Sequence, residues 1–354
     1  MNNIPCIYMR AGTSRGPFLD LRDLPAEPEE RNAVLLRIMG SPHNRQIDGL
    51  GGATPVTSKV VMVQPSDREG VDVEYLFAQV FIDKPIVDTV PTCGNMMTGV
   101  GPFAVEKGWV KATDPETTVS IFNMNTKTHI EAIIQTHNGK VNYVDGEFII
   151  DGVPGNGAPV LMNLIEVGGG TTGKLFPTGK QKEVIQGIEA SIVDAGNVMV
   201  LMKTEDFGLS GVEGADYFDS QPDLMARLER IRQEAGRLAD LGDVSESVIP
   251  RMSLLSKARN GGSIKSQYFT PFTFHPTHAV SGAVCIGTAC RAENTVASDL
   301  VKLNKKSPEQ IQIEHSSGQI PVKIDVQEEG SSFKLVKAGV YRTCRKLMEG
   351  NVFY

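Results

Sequence analysis

The sequence holds no apolar run approaching the roughly 18 residues of a membrane-crossing helix. Its start, MNNIPCIYMRAGTSRG, lacks the apolar core of a secretory signal. An excess of positive charge is missing too: 35 Lys and Arg stand against 42 Asp and Glu, for a net charge of −7. That balance argues against a nucleic-acid binder held by phosphate contacts and against a polybasic membrane-surface protein. Cysteine is sparse, with five residues at Cys6, Cys93, Cys285, Cys290 and Cys344. An odd, unclustered set reads as reduced thiols of a cytoplasmic protein. His275 and His278 have the spacing of a metal fragment, but Pro276 lies between them and no third ligand is well placed, so no metal is expected. Ser58 stands where a phosphate-binding loop needs the glycine before its lysine, which removes nucleotide binding. A serine hydrolase is also set aside, with no nucleophile elbow read in the chain.

Glycine is what the chain has in excess, at 36 of 354 residues. The glycines gather where strands end: Gly12 and Gly16, Gly49 to Gly52, Gly94 to Gly101, and Gly168 to Gly170. Such places serve tight turns or the close approach of a ligand to the backbone, and both readings stay open. Strand signals dominate, among them residues 4–9, 59–64 and 71–83, a hairpin over 118–136, and a segment over 142–152 turning at Asp145-Gly146. Three strands separated by turns close the chain as a meander. Surface helices are expected over 27–40 and 223–242. Two further segments, 94–108 and 282–295, are apolar nearly all round and read as buried helices.

At roughly 150 residues per domain, this length predicts two. Setting Gly94 against Gly282 puts Cys93 opposite Ser281 and Gly99 opposite Gly287, so the halves read as one unit twice over, a buried helix wrapped by strands. The expected domains are 1–182 and 183–354, with the last strand free to return to the first domain. The fold class is α+β.

Three places hold residues suited to chemistry. Cys93 precedes a helix start, where free N–H groups favour a thiolate, and Gly94-Asn95 follow it. Lys59 opens an apolar strand after a Gly/Thr/Ser loop. Arg10, Thr13 and Ser14 add a cation and two hydroxyls beside glycines, and together these groups favour carboxylate binding.

Met-Arg-Ala-Gly-Thr-Ser-Arg-Gly (9–16), Gln-Ile-Asp-Gly-Leu-Gly-Gly-Ala (46–53), Thr-Ser-Lys (57–59), Cys-Gly-Asn (93–95), Gly-Val-Gly-Pro-Phe-Ala (99–104), Ile-Asp-Gly-Val-Pro-Gly (150–155) and Leu-Gly-Asp-Val-Ser (241–245) occur in this order. The series resembles the 2-methylaconitate isomerase family, which includes 4-oxalomesaconate tautomerase and 3-methylitaconate isomerase. The resemblance implies the diaminopimelate-epimerase-like fold, two similar domains of rolled sheet around a central helix with the active site between them. It implies proton transfer without a cofactor, carried by Lys59 and Cys93, and Ser281 in place of a second cysteine. The substrate contacts expected are Arg10, Thr13, Ser14, Ser58, Gly94, Asn95, Asn197, His275, Ser281 and Gly282, of which Asn197, His275 and Ser281 fall on positions the resemblance matches. Ala11 and Arg15 depart from the commoner glycine and lysine, and Phe272 from a histidine of tautomerase-like members. The partner expected is a small polycarboxylate, and a homo-oligomer stays open. The activity implied is a 1,3-allylic or keto–enol proton shift in an unsaturated di- or tricarboxylate. 4-Oxalomesaconate comes first, on Leu-Gly-Asp-Val-Ser and Arg-Asn-Gly-Gly-Ser-Ile (259–264). The alternatives are 3-methylitaconate, 2-methylaconitate or aconitate isomerization, or a non-catalytic carboxylate-binding protein on the same fold.

Overall fold

In the computed structural model, which describes all residues but 1, 91, 166, 271–272, 276–277 and 330–331, the opening apolar run forms strand β1 (Asn3–Ala11). Ile7, Met9 and Ala11 join one core, and Ile4 and Cys6 join another. The strand is therefore covered on both faces, which is why it reads as a continuous apolar run. β1 pairs antiparallel with β2 (Ser14–Asp20), which lies parallel to β3 (Lys59–Pro65), which pairs antiparallel with β4 (Val73–Val80). Between β2 and β3 runs α1 (Pro28–Met39), with Pro28 at its start, Glu29 and Glu30 in its first turn, and Gly40 at φ 72° closing its end. Each of these residues suits the helix terminus it occupies. Leu35, Ile38 and Met39 of α1 cover the outer side of these strands.

The buried helix expected over 94–108 forms in two pieces, α2 (Gly94–Met97) and α3 (Val100–Glu106). Pro102 accounts for the break. It has no N–H to donate to the Thr98 carbonyl, so the helix restarts at Val100, where Pro102 falls in a first turn that needs no donor. Gly99 sits at the joint against the Phe18 ring, which a Cβ there would overlap. β4 runs parallel to β5 (Glu116–Asn123), which forms the expected hairpin with β6 (Thr128–His137), turning at Lys127 with φ 59°. β6 pairs with β7 (Pro159–Ile165), β7 with the last strand (Ser332–Phe353), and the last strand with β1. Eight strands thus ring α2 and α3. Residues 142–152 are not the strand pair expected of them: beyond the isolated bridge Phe148–Gly157 they form no ladder. Asn142 Oδ1 accepts the N–H groups of Val144 and Asp145, which folds this stretch onto itself.

The chain groups into one unit of Met1–Leu164 with Tyr341–Tyr354, and a second of Ile165–Val340. The position 182/183 lies inside the second unit, because Gly168 bridges Ala195 and the Leu175 carbonyl receives the Asp194 N–H. This unit repeats the strand pattern of the first. β8 (Ile188–Asp194) pairs antiparallel with β9 (Val198–Lys203), parallel to β10 (Arg251–Ser256), which pairs antiparallel with β11 (Ile264–Thr270). β11 lies parallel to β12 (Gln310–His315), followed by β13 (Gly318–Glu329) and the last strand as the expected meander. The outer helix is α4 (Pro222–Leu238), which buries Leu228, Ile231 and Ala235. The inner helix is α5 (Val280–Arg291), enclosed over most of its length. It packs through Gly287 on Val322 and Ile324 of β13, as Gly101 of α3 packs on Ala132 and Ile134 of β6. Among the described residues no helix is long and apolar enough to cross a membrane.

Candidate active site

In the first unit the cross-strand register puts Lys59, the first residue of β3, opposite Gln79. Lys59 Nζ donates to Gln79 Oε1 at 2.6 Å and lies 5.1 Å from the centre of the Phe77 ring. The Gln79 amide donates in turn to the carbonyls of Ser58 (2.8 Å) and Pro55 (3.2 Å), tying the lysine to the loop before it. Asn125 fixes the neighbouring Phe77 by accepting its N–H at 2.8 Å and donating to its carbonyl at 2.9 Å. Lys59 makes no ion pair among the described residues. Its partners are thus all neutral, an amide and an aromatic ring.

Cys93 stands at the N-cap of α2 with extended backbone (φ −131°, ψ 104°) and is half-buried. The chain leading to it is held by the Thr92 hydroxyl, which meets Tyr75 Oη at 3.2 Å and accepts from Asn123 Nδ2 at 3.0 Å. The other four thiols are buried, and desolvation pushes Cys6, Cys285 and Cys344 up to about 12 and Cys290 higher still. Asn95, the second residue of α2, accepts the Thr13 N–H at 3.3 Å, and Gly12, at φ 56°, lies so close to the Asn95 side chain that no Cβ fits between them. The hairpin turn between β1 and β2 is thereby docked on the start of α2. Ser14 follows the turn. It is buried, and its hydroxyl makes no hydrogen bond among the described residues.

Two of the expected substrate contacts have other work. Ser58 is fully buried, donating to the Val80 carbonyl at 2.8 Å and accepting from Gln46 Nε2 at 2.7 Å. Arg10 alternates with Met9 and Ala11 and so lies on the face of β1 away from α2, opposite Arg15 and Arg345. Its Nη1 donates to the carbonyls of Gly12 (3.1 Å) and Thr343 (2.8 Å), bracing the turn. Gly12-Thr13-Ser14-Arg15-Gly16 does spell the Gly-x-Ser-x-Gly of a nucleophile elbow, contrary to the expectation that the chain has none. It is a strand-to-strand hairpin, where a hydrolase needs a strand-to-helix turn, and its serine bonds no histidine among the described residues.

In the second unit α5 begins at Val280, capped by Ala279, so Ser281 and Gly282 lie within its first turn rather than at its very start. Gly282 rests on the ring of Tyr268, whose hydroxyl accepts from Arg251 at 2.8 Å. His275 and His278 flank the same ring, with centroids 5.5 and 4.7 Å away. His278 is enclosed. Its Nδ1 meets the Ala279 carbonyl at 2.9 Å, which can only accept, so Nδ1 carries the proton and Nε2 accepts from Ser266 Oγ at 2.9 Å. Asn197 follows Gly196 (φ 73°), and its carbonyl accepts the Ala195 N–H at 3.1 Å and the Cys285 thiol at 2.8 Å. Cys285 thus fastens this turn to α5, a role that no local sequence signal announces. Phe272 lies outside the described residues.

The family model described as PrpF protein matches residues 1–354. A (4E)-oxalomesaconate Delta-isomerase of Novosphingobium sp. (strain KA1) is 42% identical over 353 residues, 100% of this chain and 98% of that protein. A 4-oxalomesaconate tautomerase of Pseudomonas putida is 42% identical over 350 residues, 99% of this chain and 95% of that protein. The crystal structure of a methylitaconate-delta-isomerase superposes with a TM-score of 0.92 at 36% identity, covering 99% of this chain and 95% of that one.

Proposed function

The chain belongs to the PrpF family, and from that premise we propose that it is an isomerase moving a proton through an allylic or keto–enol system of an unsaturated di- or tricarboxylate, 4-oxalomesaconate before the others. The observation that supports the reaction type is that Lys59 and Cys93 both border the core around α2 and α3, Cys93 packed against it and Lys59 in strand alternation with its Val61 and Val63. One is an amine held by neutral groups, the other the half-buried thiol among five. Two relatives that each match nearly the whole chain at 42% identity bear oxalomesaconate in their names, which supports that acid.

The chemistry asks for little more. Removing a proton from carbon beside a double bond leaves an anion spread over the conjugated system. A positioned base must take the proton, a positioned acid must return one at the far carbon, and fixed donors must meet the charge. Lys59 and Cys93 fill the first two roles, in either order. The N–H groups opening α2 and the Ser14 hydroxyl supply donors on the same side of the sheet. Five unpaired thiols support a reducing, cytoplasmic setting.

Replacement of either Lys59 or Cys93 by alanine is expected to lower kcat by about 10²- to 10⁴-fold while leaving the far-ultraviolet circular dichroism unchanged. Assays against oxalomesaconate, methylaconitate, methylitaconate and trans-aconitate rank the substrates. Near-native turnover in both variants removes the assignment.

A further inference from the structure

Among the described residues Arg342 has no counter-charge. The last strand pairs with β1 so that Ala11 faces Cys344, Arg10 faces Arg345 and Met9 faces Lys346. Cys344 belongs to the core around α2 and α3, and Lys346 Nζ bonds Glu106 of α3 at 2.6 Å. The even-numbered residues of this stretch therefore look toward the helices. Arg342, two before Cys344, shares their side. Its neighbour Thr343 receives the Gly12 N–H on its carbonyl at 2.9 Å, so Arg342 flanks the Gly12–Thr13 turn that rests on Asn95. There the guanidinium is poorly served. Its Nε is enclosed with no hydrogen-bond partner, and its Nη1 reaches only the Tyr341 carbonyl, 2.9 Å away. No Asp or Glu among the described residues pairs with it. Desolvation pulls its pKa below the ordinary arginine value, with no carboxylate nearby to raise it. Holding a half-buried guanidinium with its Nε out of water and no anion beside it costs free energy, and its planar fork of donors matches a carboxylate.

We propose that Arg342 binds a carboxylate of the substrate in the site that Lys59 and Cys93 define. The inference rests on the isomerase reading given above, but its ligand chemistry can be tested apart from turnover. Arg342 sets where the acid lies and takes no part in moving the proton. Its loss therefore raises KM more than it lowers kcat.

The experiment uses the full chain and tricarballylate, a saturated tricarboxylate that cannot isomerise. Wild-type protein is expected to bind it in calorimetry, and Arg342→Lys and Arg342→Gln to bind it at least about tenfold more weakly. KM for the unsaturated acid should rise by a similar factor. Phenylglyoxal labelling of the wild type, read by peptide mass spectrometry, removes dependence on how the variants fold: tricarballylate should protect Arg342. Equal labelling with and without tricarballylate, or unchanged binding in folded variants, overturns the proposal. A wild type that binds tricarballylate through Arg342 yet isomerises none of the acids overturns the isomerase reading and leaves this assignment standing. A wild type that isomerises an acid with Arg342 unprotected and KM unchanged does the reverse.

Discussion

His278 shows how a side chain's neighbours set its chemistry. Enclosed between Tyr268, Ser266 and the start of α5, it is held neutral, and burial pulls its pKa down to about 3 from an ordinary 6.5. In the unfolded chain it takes a proton near pH 6.5, whereas in the folded protein it does not. Stability is therefore undiminished by this group above pH 6.5 and falls as the pH drops toward 3, by at most about 1.4 kcal/mol per pH unit. Glu213, held at about 2, and Glu314, also lowered, act with the same sign but only in the carboxylate range. Denaturant titrations between pH 6.5 and 5 should thus slope in the wild type and flatten in His278→Gln. An equal slope in both would contradict the burial account. Cys93 and Lys59 stand out in the sequence as candidates because their signals are local: a thiol before Gly-Asn, and a lysine after a Gly/Thr/Ser loop. The hydrogen-bonding work of Arg10 and Ser58 and the surroundings of Arg342 were not legible, for one shared reason. Which face of a strand a residue occupies, and what waits there, is set by partner strands far away in the chain.

Among the elements, the central helix of the first unit carries the clearest structural demand. Gly99 joins α2 to α3 with the Phe18 ring where a Cβ would lie. Gly99→Ala should destabilise the protein by about 1–3 kcal/mol through overpacking. Phe18→Leu placed in the same chain should restore part of that loss, since the two residues share one space. Additive urea midpoints for the double variant would refute the contact. Hydrophobic pattern announced this helix but not its break, because the apolar run continues through Thr98 and Gly99, and only Pro102 reports the interruption. Two motifs behind the choice of substrate also prove to have structural duties. The Val244 carbonyl of Leu-Gly-Asp-Val-Ser accepts from the fully buried Arg232 at 2.7 Å. The backbone N–H groups of Arg259, Asn260 and Gly262 all bond the Glu314 carboxylate. The substrate proposal accordingly leans on whole-chain similarity and not on these two loops.

At the scale of the molecule, the repeat was legible from glycine spacing and two apolar helices, because each unit needs the same small residues where its helix meets its strands. The return of the last strand to the first unit was left open by the sequence, and its register on β1 was not legible, since it joins residues more than three hundred positions apart. The net charge of −7 bears on function only at long range. In the proposed site a polyanion within a screening length of about 8 Å at physiological salt would meet Lys59 and Arg342, so KM for a tricarboxylate should rise with sodium chloride. A fall would mean that whole-molecule repulsion governs binding. The central claim is proton transfer at carbon by this chain, and proton NMR in deuterated water tests it most directly. Wild-type protein should wash deuterium into the positions of the unsaturated acid between which the proton moves, and Lys59→Ala and Cys93→Ala should not. Substrate that stays fully protiated in the presence of the wild type, or label that enters equally with both variants, would contradict the account.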